Sequence, residues 1–263
     1  MKRVILGTFV TAMTTISSFA ACTYNLDATS AEVSAIPTTV PTLKFPIVSN
    51  QKSSFQVASN EADTYKIKMF FATSSNTAQQ LAISNQSLIG DKNIVTSGQS
   101  AFEFLINSFA NAPATGDTFI AIGYNIVLTD TTNGLKIGNI YVINDSVSGS
   151  YIKVNFSDVN GGNETTNLYP VAISSIPGLR IGLFINQNTK QIGVNINGVN
   201  KGYISSFNGV PSKISFFTSG YTINVKNNDP NIGQTISGEL ITDRSKIGLT
   251  YALGTTDICG IVL

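Results

Sequence analysis

The sequence predicts an all-β protein, a two-sheet antiparallel β-sandwich with one or two short helices. Three observations predict it. From residue 49 onward, apolar and polar residues alternate with a period of two, as strands buried on one face do. Gly, Asn, Asp and Pro recur between the alternating runs, where chain reversals need them. Helical spacing is nearly absent, so many short strands must bury their apolar faces against a second sheet.

The start of the chain reads as an address. Lys2 and Arg3 precede an apolar run from Val4 to Val10 that continues more weakly to Phe19. Ser18 and Ala20 are the small residues a signal peptidase reads, so residues 1–20 are expected to be a cleaved export signal. The mature chain is expected outside the cytosol: periplasmic, cell-surface or extracellular. No later segment approaches the roughly 18 apolar residues that a spanning helix needs. Without Lys2 and Arg3, 14 basic residues face 15 acidic ones, a net charge of −1. Charged residues are 12 % of the chain, against roughly 25 % in an average domain, so amides and hydroxyls must supply the surface. Such a surface has no electrostatic footing for nucleic acid.

Cys22 and Cys259 are the two cysteines. In "SFAACTYNLD", Phe19-Ala20-Ala21-Cys22 resembles the lipobox of bacterial lipoproteins, with Phe19 where Leu is usual. That reading makes Cys22 the lipid-bearing anchor. The other reading cleaves after Ala20 and pairs Cys22 with Cys259, which an oxidising compartment and the cysteine count favour. The bridge would close nearly the whole chain, worth about 5 kcal/mol in the chain-entropy model.

The elements follow in order. Residues 21–48 read as a lead-in: Thr29 and Glu32 have capping-box spacing for a short helix, and Pro37, Pro41 and Pro46 impose an extended path across the surface. Residues 49–263 read as one sandwich domain. In "TYKIKMFFA", Tyr65, Ile67, Met69 and Phe71 share a face; "SSNTAQQLAISNQSL" suggests a second short helix. "AFEFLIN" alternates Phe102, Phe104 and Ile106 with Glu103 and Leu105. "DTFIAIGYNIVL" is apolar on both faces and should be a central strand covered on both sides. "YIKVNF" is half-buried. Residues 178–204 form a three-stranded meander: Leu179 to Ile185, the turn "QNTK", Ile192 to Ile196, then Asn197-Gly198, whose residues accept the positive φ of a type I′ turn. Gly202 is expected to end the third strand. "YTINVKNN" and "GELITD" supply later strands.

"RIGLFINQNTKQIGVNINGVNKGYI" resembles the late hairpins of concanavalin A-like (lectin- and SPRY-like) jelly-roll sandwiches, centred on residues 178–204. The resemblance implies that fold and ligand binding by loops.

Chemistry is limited by the absence of histidine, which removes Ser-His-Asp and Cys-His catalysis and the usual zinc sites. Glu61-Ala62-Asp63 is the nearest approach to the paired carboxylates of a glycoside hydrolase, but reads first as a solvated strand entrance before Lys66 and Lys68. Ser150 and Lys153 have Ser-x-x-Lys spacing, but in a strand they point to opposite faces. In "SDVNGGNETTN", Asp158, Asn160 and Glu164 offer hard oxygens in a glycine-rich loop, a calcium-type ligand set; the same residues serve a polar turn. No other cofactor is expected. Sugar recognition wants an aromatic platform, and Tyr151 and Tyr203 flank strands where a ring can face outward, the other reading being core or interface packing. "IPGLRIG" places Arg180 on an otherwise polar face, which a lone surface arginine also explains. The functions left are a non-catalytic surface or periplasmic module binding a glycan or protein through loops, a self-associating structural subunit of a surface assembly, and, third, a glycoside hydrolase-like enzyme.

Overall fold

The computed structural model describes residues 22–83, 88–158 and 164–263. The expected export signal and Asn160 lie outside the described residues. The first helix, α1 (Ser30–Ser34), has the expected capping box: Glu32 N–H donates to Thr29 Oγ1 at 3.2 Å, and Thr29 N–H to Glu32 Oε2 at 2.7 Å. The proline-rich stretch does more than lie on the surface. It gives two edge strands, β1 (Thr42–Lys44) and β2 (Ile47–Ser49), with Phe45 between them buried in the core.

Next come β3 (Lys52–Gln56), β4 (Ile67–Thr73), the expected second helix α2 (Ser75–Ile83) and the two-residue β5 (Lys92–Asn93). The longer strands are β6 (Gln99–Ser108), β7 (Phe119–Asp130), β8 (Leu135–Asp145) and β9 (Gly149–Asp158), followed by β10 (Thr165–Pro170). The meander is β11 (Arg180–Asn186), β12 (Gln191–Ile196) and β13 (Val199–Ser206); β14 (Pro211–Ile223) and β15 (Thr235–Ile241) complete the set.

These strands form two sheets. The eight-stranded sheet runs β1-β4-β14-β7-β8-β9-β10, with β5 also paired to β14. The seven-stranded sheet runs β13-β12-β11-β6-β15-β3-β2. Pairing is antiparallel throughout except for β1 with β4. That parallel pair arises because the chain crosses to the other sheet as β2 and β3 before returning as β4, and a parallel pair needs such a crossover.

The core lies between the sheets. Phe104 stacks on Tyr124 with centroids 4.1 Å apart, and Phe102 meets Phe216 edge-on at 4.9 Å. β7 is central and covered on both faces, as its composition predicts: Ile120, Ile122, Tyr124, Ile126 and Leu128 join the inter-sheet core. Val127 on its other face packs with Val33 of α1 and Leu81 of α2. β4 also has two apolar faces, Phe70 and Ala72 turning to the core while Met69 and Phe71 turn to the helices.

The meander forms where expected, with φ +48° at Asn197 and +86° at Gly198. Gly202, however, does not end its strand. With φ +81° it sits inside β13, where the pairing with β12 shifts register around Gly193; an extra residue is accommodated as a bulge.

Cys22 and Cys259 form the disulfide, 237 residues apart in sequence and 5.8 Å between Cα atoms. The sulfur that a lipid anchor would require is therefore bonded to Cys259. From Cys22 the chain enters in an alternating pattern, burying Cys22, Tyr24, Leu26 and Ala28 while Thr23, Asn25 and Asp27 face outward.

Candidate functional site

The C-terminal segment after β15 first lies on the outward face of the seven-stranded sheet, over Glu103 and Gly182, and then joins the plane of the sheet beside β6, with Ile258 reaching the inter-sheet core. Thr256 bridges to Ser100 in β6, and Ala101 N–H donates to Thr256 O at 2.8 Å. The disulfide fixes this strap to the start of the chain. The strap covers Glu103, whose side chain is fully buried. Glu103 pairs with Arg180 of β11, and its Oε1 accepts from Leu249 N–H at 2.7 Å and Gly248 N–H at 3.1 Å. Arg180 is thus held by a carboxylate and does not stand alone on a polar face.

Two glycines let the strap and an aromatic ring lie close on the sheet. A Cβ at Gly182 of β11 would come 2.1 Å from Tyr251 Oη, and one at Gly193 of β12 2.2 Å from Phe184 Cζ. Beside Tyr251 the strap leaves a cleft of about 300 Å³ over β12 and β13, lined by Phe184, Tyr203, Tyr251, Gln99, Asn195 and Asn200 among others. None of its lining residues is acidic or basic. Phe184 meets Tyr203 edge-on at 5.6 Å and Tyr251 at 6.4 Å. Tyr203 is 44 % exposed, and its hydroxyl accepts from Asn186 Nδ2 at 2.9 Å, which fixes the ring. Asn195 is 4 % exposed, and its buried Oδ1 accepts no hydrogen bond among the described residues. A buried carbonyl without a donor is costly by about 1–3 kcal/mol. Tyr251 keeps its proton: burial, reinforced by the Glu103 charge, pushes its phenol far up.

The other sequence candidates fall elsewhere. Tyr151 stands half-buried in β9 of the opposite sheet, across from Ile143 and Pro170, and shares no site with Tyr203. Burial and the nearby Asp145 raise its phenol. Asp158 and Glu164 do not converge. Asp158 Oδ1 lies 2.8 Å from the ammonium of Lys136 at the inner side of the sheet, whereas Glu164 Oε1 accepts from Asn155 Nδ2 at 2.7 Å on the outer side. Glu61 accepts from Asn227, and Asp63 pairs with Lys68 at 3.5 Å, the solvated-entrance arrangement. Ser150 and Lys153 lie in β9, where the strand sends them to opposite faces.

Phe184, Tyr251, Asn195, Asn200 and Gln99 were not singled out by alternation. Their signal was Gly182 and Gly193, two strand-interior glycines on one face, which mark close approach by another group.

A family model described as a domain of unknown function (DUF4882) matches residues 4–261. The chain belongs to the DUF4882 family. No curated protein matches it. Solved structures similar to this DUF4882 chain include the legume lectin-like domain from Entamoeba histolytica, 11 % identical over 74 % of this chain and 87 % of that one, with a TM-score of 0.41. A native glycosidic hydrolase is 13 % identical over 73 % and 77 %, TM-score 0.41. The CBM2 module of the evolved Dit of Lactobacillus casei BL23 phage J-1 is 12 % identical over 84 % and 90 %, TM-score 0.36. The two-sheet sandwich of the DUF4882 chain is read from its own strand order and agrees with the fold class that the sequence predicts.

Proposed function

We propose that the chain is an exported, non-catalytic binding module that takes a glycan in the cleft between the C-terminal strap and β12–β13. The observation that carries this reading is an uncharged cleft lined by the rings of Phe184, Tyr203 and Tyr251 and the amides of Gln99, Asn195 and Asn200. Apolar rings with a few placed polar groups are the make-up of small-ligand sites. Sugars present apolar ring faces and hydroxyl donors, and the cleft offers a partner for each.

Export is supported by the disulfide, which persists in oxidising compartments, together with the apolar run at residues 4–19. Binding is favoured over hydrolysis because glycosidic cleavage needs two carboxyl groups at one bond, and no carboxylate lines the cleft. The assembly reading draws on the open β13 edge, where Val199 is 55 % exposed. Lys201 and the bulge at Gly202 interrupt that edge, and such features discourage edge-to-edge pairing.

A glycan array followed by calorimetry tests the reading. Binding of at least one neutral sugar, weakened by Tyr203→Ala, supports it. An array without a hit, with and without calcium, overturns it.

A further inference from the structure

Tyr203 lines two cavities. One is the uncharged cleft of about 300 Å³ described above. The other, about 400 Å³, opens where β13 meets the ends of β8, β9 and β10, and is lined by Lys136, Asp158, Gln191, Ser205 and Ser206 among others. Along β13 the lining residues run from Asn200 in the first cavity to Ser206 in the second. At the strand rise that stretch is roughly 20 Å, far longer than one sugar ring.

The geometry points to a single extended site with Tyr203 at its centre, made for a neutral oligosaccharide and not for a single sugar. This rests on the glycan reading above. Each cavity alone is at or near the lower end of small-ligand pockets, which run from roughly 300 to 1,000 Å³. Tyr203 cannot swing aside freely, because Asn186 holds its hydroxyl and Phe184 its ring edge. A ligand stacked on it in the first cavity would reach the second by following β13 past Gln191 and round the sheet edge to the Lys136–Asp158 pair.

The second cavity is polar without being charged overall. Lys136, whose side chain is 5 % exposed, is paired with Asp158 at 2.8 Å, and its ammonium also lies 5.7 Å from the Phe207 ring. The pair presents a donor and an acceptor side by side, and the hydroxyls of Ser205 and Ser206 and the amide of Gln191 extend the set. That suits vicinal hydroxyl groups. An acidic sugar would find the lysine already neutralised.

The test is calorimetric titration of the full mature chain with β-linked glucose, galactose, mannose and N-acetylglucosamine oligomers of one to six units. For the sugar that binds, affinity should rise at least tenfold from one unit to four. Gln191→Ala should lower the four-unit affinity severalfold and leave the one-unit affinity unchanged, while Tyr203→Ala lowers both. Equal affinity at every length, with Gln191→Ala silent, overturns the extended site and leaves the glycan reading standing. No binding at any length sinks both.

Discussion

Glu103 and Arg180 form an ion pair across neighbouring strands, with the carboxylate fully buried beneath the C-terminal strap. The pair does what a single hydrophobic contact could not: Glu103 also accepts from Gly248 and Leu249, so it fixes the strap's backbone as well as the guanidinium. Removing one partner leaves an uncompensated buried charge. Arg180→Met should cost about 3–5 kcal/mol. The double variant Arg180→Met/Glu103→Leu should recover much of that loss. Urea unfolding of the two variants measures the difference; equal stabilities would mean the charge is not the cause.

The disulfide controls both stability and the site. Closing a loop of 237 residues stabilises by about 5 kcal/mol in the chain-entropy model. Cys22→Ser/Cys259→Ser should lower the urea midpoint accordingly and weaken glycan binding, because the strap carrying Tyr251 loses its tether. Intact mass of the native mature chain should show two hydrogens fewer than the reduced form and no lipid.

Asn195 separates a binding residue from a structural one. Its Oδ1 has no partner to lose, so Asn195→Leu should leave stability unchanged or raise it by about 1 kcal/mol. The same variant should lower glycan affinity about tenfold, a loss of ~1.4 kcal/mol. A large destabilisation would instead place Asn195 in the fold's own support.

Gly182 and Gly193 leave no room for a side chain unless a neighbouring ring shifts. Gly182→Ala drives a methyl against Tyr251 Oη, and Gly193→Ala drives one against the Phe184 ring. Overpacking of this kind costs about 1–3 kcal/mol. Thermal melts should show both variants destabilised, with Gly182→Ala also exposing the strap to proteolysis.

Alkaline pH should destabilise the chain through Tyr24. Burial first, then the Asp91 carboxylate, pushes its phenol up from 10.0 to about 12. The folded state therefore holds this proton more tightly than the unfolded state. The stabilisation it contributes is complete below pH 10 and is lost as pH rises through about 12. Tyr24→Phe should flatten the stability curve over that window, by up to about 1.4 kcal/mol per pH unit. An unchanged slope in alkaline urea titrations would remove Tyr24 from the account.

Legibility in the sequence varied by element for physical reasons. The Asn197-Gly198 hairpin, the two-faced β7 and the Thr29 cap were readable because each depends on neighbours in the chain. β14 was readable only at its end, in "YTINVKNN". Its interior holds Ser215, Ser219 and Gly220, which break the apolar alternation. Gly220 is required by a distant contact, since a Cβ there would come 2.6 Å from Phe55 Cε1. Glu103 looked like an outward charge alternating with phenylalanines, because its cover comes from Gly248 and Leu249, some 145 residues later.

The sequence alone determined the period-two alternation, the turns and the two cysteines, and with them a sandwich whose start and end could be tied. Those features are local or compositional, set by backbone geometry and side-chain size. Tertiary structure alone decided that Tyr203 meets Phe184 and Tyr251, that Tyr151 stands on the other sheet, and that Asp158 and Glu164 face apart. Each of those outcomes depends on sheet order and on where the strap lies, and strand pairing over long separations leaves no periodic mark along the chain.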